Sequence, residues 1–367
     1  MAETTVRGLV GDSEVVLKAG KLAGLANGAV TVGIGQTEVL VTAAANASIR
    51  EGIDFFPLTV DVEERMYAAG KIPGSFFRRE GRATERAILT ARLIDRPLRP
   101  SFADGYRNDT HVVATILQVD GENPYDVIAL NGASAALSIS DIPFEGPLAG
   151  VRLALIDGEW KPFPTFEDLE AAVFDLVVAG GRNEDGEIDI IMVEAGSTEH
   201  GIRLIAEGRP KSDEDAVAGG LEASKAFISQ LIDLQLELKA QVGKEPGGWP
   251  LQIDYSDEIY AKIEELAGSK LAATLGISDK TERTAAETVI WDEVLEAFGS
   301  EDDDEVRQAK RAFRSVSKKL MRDRVVNDGI RLDGRSATAD PARPGRSRAP
   351  AACPACRRWP WTTSGWK

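Results

Sequence analysis

The strongest constraint on the fold is a change of hydrophobic period partway along the chain. Up to about residue 243, segments of alternating and of helical spacing are interleaved, whereas beyond KEPGGWP (244–250) every apolar pattern is helical. In GAVTVGIGQTEVLVTAAA (28–45), Val30, Val32 and Ile34 alternate with small or polar residues. Gly35–Gln36 can turn, and Thr37–Thr42 is a second β-branched run, which together predict a β-hairpin. HVVATILQV (111–119) reads as a buried strand, and VRLALI (151–156), FDLVVAG (174–180) and IDIIMVEAG (188–196) as three more. DVIALNGASAALSI (126–139) mixes strand and helix formers and reads as helical from Asn131 onward, ending before Pro143. Residues 212–243 place Val217, Leu221, Ile228, Leu231, Leu234 and Leu238 on one helical stripe, with Ser212 as N-cap and Gly243 as stop. Such a mixture predicts an α/β or α+β core.

The helical part divides into three. Ile259, Ile263 and Leu266 share one face; Val289, Ile290, Val294 and Phe298 share another, closed by Gly299; Val306, Ala309, Phe313, Val316 and Leu320 mark a third. The run EDDDE (301–305) opens that last helix, where acidic side chains complement the dipole, so it is read as a helix start and not a metal cluster. A small all-α domain is expected over 251–327, after a Gly/Pro linker at 244–250.

Composition bounds the rest. The chain has 367 residues, 43 % apolar content and a formal charge of −16, enough for two or three domains. No apolar run approaches the ~20 residues of a membrane span, and no basic-then-apolar leader opens the chain, so neither membrane nor secretory signal is expected. The two cysteines, Cys353 and Cys356, lie near the end and predict no disulfide framework, in keeping with a reduced, cytoplasmic setting. They fall in 337–367, a Pro/Arg/Trp-rich tail with six positive residues, one negative residue and no period, expected to be irregular and disordered. So abrupt a change after Ser336 suggests a reading-frame change or an artificial terminus. His111 and His200 have no ligand-spaced partner and are assigned no role.

Against the acidic total, KIPGSFFRREGRATERAILTARLIDRPLRPSF (71–102) holds eight cations and three acids. Phe76 and Phe77 are followed by Arg78 and Arg79 in a loop marked by Pro73, Gly74 and Gly81, with Arg82 just beyond. Guanidiniums contact phosphates and aromatic rings stack bases, the combination that holds single-stranded nucleic acid without reading its sequence. Alternatively the segment is a solvated helix with an aromatic core plug. Arg92, Arg96 and Arg99 are four and three apart. Because of Pro97 and Pro100, Arg92 and Arg96 are expected on a helix and Arg99 on an extended segment beyond it. They form either a phosphate-binding surface or pairs with Asp95, Glu80 or Glu85 across a subunit seam.

The wording of GKIPGSFFRREGR and RLIDRPLRP, followed by GASAALSISDIPFEGPLAGVR (132–152), DLVVAGG (175–181), IIMVEAG (190–196) and IRLDGRS (330–336), resembles the first RNase PH-like core of bacterial polynucleotide phosphorylase. The resemblance implies an α+β RNase PH-like core at 1–243, the joining all-α domain at 251–327 and the start of a second core at 328–336. In that family the Phe-Phe-Arg-Arg loops of three subunits line a ring channel for single-stranded RNA. The implied site residues are Phe76, Phe77, Arg78, Arg79, Arg82, Arg92, Arg96 and Arg99. The implied reaction is 3′→5′ phosphorolysis of RNA to nucleoside diphosphates, with inorganic phosphate as co-substrate and Mg²⁺ held by carboxylates of the second core. Asn131-Gly132-Ala133-Ser134 falls where the second core carries a phosphate-binding turn, though a helix start is its more economical role here. The implied partners are RNA, two further copies in a homotrimer, and RNA-degradation machinery. Without its second core the chain is expected to be inactive or nearly so. Two alternatives stand beside this reading: a non-catalytic RNA-binding module that enters mixed trimers, and an RNase PH-like enzyme that uses this core's own residues.

Overall fold

The computed structural model describes residues 3–50, 53, 55–74, 76–245, 247–300 and 302–337. The sequence readings of the tail from residue 338 onward, including Cys353 and Cys356, lie outside them. The chain divides after Gln252 into two compact units.

The first unit is α+β. Strands β1 (Thr4–Val10), β2 (Ser13–Ala19), β3 (Gly28–Ile34), β4 (Thr37–Ala45), β5 (Leu58–Glu64) and β6 (Thr110–Gln118) form one sheet in the order β1-β2-β3-β4-β6-β5. The 28–45 hairpin forms as expected, turning at Gly35, whose φ of 59° favours glycine. Every pairing in this sheet is antiparallel except β5 with β6. A parallel pair needs a crossover connection, and the arginine-rich segment is that connection, with helix α1 (Glu85–Leu98) inside it. Strands β1 and β2, which the sequence reading passed over, bury Val6, Val10, Val15, Leu17 and Ala19.

A second, antiparallel sheet contains β7 (Leu148–Ile156), β8 (Glu159–Pro162), β9 (Phe174–Arg182) and β10 (Ile188–Ser197), ordered β10-β9-β7-β8. Helix α2 (Asp126–Ser138) contacts β3 and β4 of one sheet and β7 of the other, with every residue buried. That burial corrects the sequence reading, which began the helix at Asn131. A helix apolar all round shows no stripe, so Val127 and Ile128 resemble a strand although they are helical. After the short helices α3 (Phe166–Ala171) and α4 (Gly201–Ala206), the long α5 (Glu214–Val242) packs on both sheets. Its N-cap is Asp213, one residue beyond the expected Ser212, and its carboxylate accepts from Ala216 N–H at 2.9 Å. The Gly/Pro stretch that follows is fastened to this unit. Lys244 N–H donates to Ile139 O (3.0 Å), Gly247 N–H to Asp141 O (2.8 Å), and the Trp249 indole to Asp141 O (2.6 Å).

The second unit is helical: α6 (Asp257–Thr274), α7 (Lys280–Phe298) and α8 (Asp303–Asp323), continued by a π turn at Arg324–Asp328. Ile263, Ile290, Val294, Phe298, Ala309, Phe313 and Val316 meet in its core. Val289, assigned to the apolar face from its spacing, is instead 58 % exposed. Gly299 ends α7 with φ 67°, a left-handed C-cap as its position suggested.

Candidate nucleic-acid interface

The crossover between β5 and β6 begins as a loop fastened at its base and open at its tip. After β5 comes a 3₁₀ turn, Met66–Ala69, capped by Gly70 at φ 66°. Lys71 N–H returns to Met66 O (2.9 Å), and the Glu80 carboxylate accepts from Met66 N–H (3.0 Å), so the two limbs of the loop are drawn together. Thr84 closes the far limb: its hydroxyl donates to Glu64 and accepts from Ala87 N–H at 3.1 Å as N-cap of α1.

Beyond these anchors the tip projects into solvent. Phe76 and Phe77 are 95 % and 76 % exposed, with ring centroids 5.4 Å apart and planes at 83°. Arg78 and Arg79 are exposed and make no ion pair or side-chain hydrogen bond among the described residues. Arg78 has φ 47°, a left-handed conformation that costs a non-glycine residue energy. Keeping two phenylalanines in water forgoes about 1.5–3 kcal/mol each relative to burial. The core-plug alternative is therefore excluded, and four side chains of two complementary chemistries, stacking and cationic, are presented together.

Arg82 is exposed at the edge of a cavity of about 570 Å³, lined also by Lys71, Arg65, Arg86, Glu63, Glu64 and Tyr125. Arg86 lies over the Tyr125 ring (4.9 Å) and the Phe166 ring (5.0 Å). The Tyr125 hydroxyl donates to Glu64 at 2.5 Å, and burial together with that bond raises its pKa well above the ordinary phenol value, keeping it a neutral donor. Sequence reasoning missed this group. Arg82 and Arg86 at i, i+4 gave a signal, but the aromatic partners come from distant segments.

The remaining arginines are on α1. Arg92 is exposed, without a partner among the described residues, and borders a hollow of about 360 Å³ with Asp95 and Arg99. Arg96 is ion-paired with Glu194 on β10. Arg99 makes two hydrogen bonds to Asp95 (3.1 and 2.7 Å) and donates to Phe56 O and Leu58 O (3.0 Å each), tying the end of α1 to the start of β5. The expected extended segment at Arg99 is not found: α1 runs through Pro97, and Arg99 is helical at φ −55°, ψ −45°. Pro97 lies inside the helix and cannot donate to Leu93 O. Arg99 N–H reaches Asp95 O and the Ser101 hydroxyl reaches Pro97 O, which carry the chain past it. The Asp95 pairing is thus made within the chain, and Glu80 serves the loop base instead.

Asn131-Gly132-Ala133-Ser134 is not a helix start; it lies inside α2, wholly buried. The Asn131 amide donates to Val127 O (3.0 Å) and Gly150 O (2.9 Å) and accepts from Gly150 N–H (2.9 Å), while the Ser134 hydroxyl accepts from Leu148 N–H (3.0 Å). These bonds pin α2 to β7 and leave no free amides for an anion.

The acidic run behaves as a helix start: Asp302 caps α8, accepting from Asp304 N–H at 2.8 Å, and Glu301 lies outside the described residues. Among the described residues no group of three or more His, Cys, Asp or Glu is placed to hold a metal. His111 faces Asp61 at 2.8 Å and His200 precedes α4.

Comparison with known proteins agrees with this architecture. Residues 14–143, within the first unit, match the family model described as 3′ exoribonuclease family, domain 1. Residues 258–336 match the polyribonucleotide nucleotidyltransferase, RNA binding domain. Polyribonucleotide nucleotidyltransferase of Thermobifida fusca is 48 % identical over 330 residues, 89 % of this chain and 43 % of that protein. The same protein of Acidothermus cellulolyticus is 48 % identical over 331 residues, covering 90 % and 42 % respectively. Among solved structures, rice (Oryza sativa) Rrp46 aligns with TM-score 0.43 and 14 % identity, over 65 % of this chain and 94 % of that one. About nine-tenths of this chain is thus similar to polyribonucleotide nucleotidyltransferases, and it spans less than half the length of the curated relatives it matches.

Proposed function

We propose that this chain is the RNA-holding part of a phosphorolytic 3′→5′ exoribonuclease, in which the Phe76–Arg79 tip grips single-stranded RNA. The observation that carries this reading is the exposure of two adjacent phenylalanines beside two arginines without a partner among the described residues, on a loop whose base is fastened. The rings stack bases at about 1–3 kcal/mol per base, and the arginines take phosphates. Arg82 and Arg92 extend the cationic path. Arg96 and Arg99 hold α1 in place through Glu194 and Asp95 and reach RNA only by giving up those partners.

In the reaction proposed for the family, an oxygen of inorganic phosphate attacks the last phosphodiester phosphorus. The P–O3′ bond breaks, a nucleoside diphosphate leaves, and the shortened strand takes up the proton on its new 3′-hydroxyl. This chain's part is to position the strand, and the bond-breaking groups, with their Mg²⁺, belong to the second core of the full-length relatives. A homotrimeric ring in the cytoplasm, working with RNA-degradation machinery, completes the reading. Light scattering tests the trimer. Among the described residues, no helix is long and apolar enough to cross a membrane.

Fluorescence anisotropy of a labelled oligoadenylate against the unaltered chain and a Phe76→Ala/Phe77→Ala variant tests the grip. Affinity is expected to fall at least about tenfold, for the loss of one or two stacked bases. An unchanged affinity overturns the assignment. Phosphate-dependent release of nucleoside diphosphates from poly(A) is expected to be absent or nearly so for the chain alone.

A further inference from the structure

We propose that the solvent face of α8 is a second RNA contact, which follows the sugar–phosphate backbone and not the bases. The proposal rests on the reading that the chain holds RNA, and adds a surface remote in sequence from the Phe76 loop.

Helix α8 has two opposed faces. Ala309, Ala312, Phe313 and Val316 enter the core of the helical unit. At 100° per residue the opposite face carries Arg307, Arg311, Arg314, Lys318 and Arg322 with Lys310 at its edge, and Lys310, Arg314, Lys318 and Arg322 are spaced four apart. The helix contains seven cationic and four acidic side chains, and three of those acids are confined to its first turn. Past Glu305, Asp323 at the far end is the one acidic residue in it.

The decisive observation is which cations find an acid. Arg307 pairs with Asp304, Arg311 with Asp254 (3.1 Å) and Lys319 with Glu264 (3.2 Å). Lys310, Arg314, Lys318 and Arg322 are exposed and have neither an ion pair nor a side-chain hydrogen bond among the described residues. Acids are not scarce: the chain carries 59 acidic side chains against 43 basic ones. A merely solvated face usually mixes signs, because like charges four apart on a helix repel. Here the single-signed row is kept in an acidic protein, and what it complements is an external polyanion.

The geometry favours a linear one. Each four-residue step advances about 6 Å, so the four cations form a ladder about 18 Å long. A ladder of evenly spaced donors suits consecutive phosphates of an extended strand, with each ammonium or guanidinium meeting one. A membrane surface is the weaker occupant, since interfacial helices bury an apolar face in lipid and that of α8 is already enclosed in the core. The match of residues 258–336 to a family model described as an RNA binding domain includes the whole of this helix.

The test uses the full chain and a labelled oligoadenylate, with affinity measured over a series of KCl concentrations. Neutralising the row with Lys310→Gln, Arg314→Gln, Lys318→Gln and Arg322→Gln is expected to weaken binding. It should also make the slope of log affinity against log salt shallower by about 3, at about 0.7 per phosphate contact on a single strand. Phe76→Ala/Phe77→Ala should weaken binding with the slope unchanged. Circular dichroism checks that the fold survives; if the fourfold variant does not fold, Lys318→Gln/Arg322→Gln should give about half the change in slope. A fourfold variant with unaltered affinity and slope, beside a loop variant that loses binding, overturns the α8 contact and leaves the loop reading intact. No RNA binding by the unaltered chain overturns both. Neutralisation that spares RNA binding but abolishes binding to phosphatidylserine vesicles overturns it in favour of a membrane surface.

Discussion

Two stretches of four residues, Phe76–Arg79 and Asn131–Ser134, suggest a nucleic-acid or phosphate contact from sequence, and the fold treats them in opposite ways. Around the first, the hydrogen-bonding groups that hold the loop, Glu80 and Thr84, lie outside the tip, so the tip's own side chains are free to meet a ligand. Within the second, the polar side chains are consumed by the fold: Asn131 bridges to Gly150 and Ser134 caps Leu148 N–H. Gly132 is equally committed, because a Cβ there would lie 2.6 Å from a Val32 methyl and 2.7 Å from a Val41 methyl. An anion-binding turn needs unpaired backbone amides, and the interior of a helix has none. What separates a binding motif from a packing motif is therefore where its hydrogen bonds go.

Breaking the buried stretch should have the largest effect. Asn131→Leu leaves Gly150 N–H and C=O buried without partners, at about 1–3 kcal/mol each. The urea midpoint should fall sharply while the RNA affinity of the remaining folded protein stays the same. The exposed stretch should show the reverse. In Phe76→Ala/Phe77→Ala, stability should stay within about 0.5 kcal/mol while anisotropy reports the affinity loss. Sharper still is a pair of arginines from the one segment. Arg99→Gln removes bonds to Asp95 and two carbonyls and should cost about 1–2 kcal/mol, reduced by its partial exposure, whereas Arg79→Gln should leave the melt alone and reduce the salt slope by about 0.7.

The smallest effect concerns the turn leading into α2. Partial burial opposes the Asp120 charge, but the backbone and side-chain donors of Asn123, the Glu122 N–H and the Thr37 hydroxyl outweigh it. The carboxyl is held well below the usual range. A pKa depressed in the folded state stabilises above the unfolded carboxylate value, about 4, and that contribution is lost as pH falls through the folded value. Stability from urea melts should therefore decline on acidification below about pH 4, and Asp120→Asn should shrink this limb without affecting the RNA-binding tip.

Strands with one buried face and helices with one buried stripe were legible, as in the 28–45 hairpin and at Ile263, Val294 and Phe313. The elements misjudged were those whose periodicity burial erases. Helix α2, enclosed on every side, looked half like a strand, and Pro97 looked like a helix end although α1 runs through it. In the candidate site, the identity of the tip residues was apparent in the sequence. The division of the arginines into paired and unpaired was not, because Glu194 lies on β10, far along the chain from Arg96.

The sequence alone determined the helix and strand periods of most segments, the change to an all-helical unit, and the presence of a cationic, aromatic cluster in an acidic chain. These are local properties, set by side-chain type and spacing. Only the tertiary structure decided that Phe76 and Phe77 face water, that Asn131 and Ser134 face the core, and that one row of α8 cations has no acid partner among the described residues. Exposure and pairing depend on which distant segments pack together, and that is fixed by the fold as a whole.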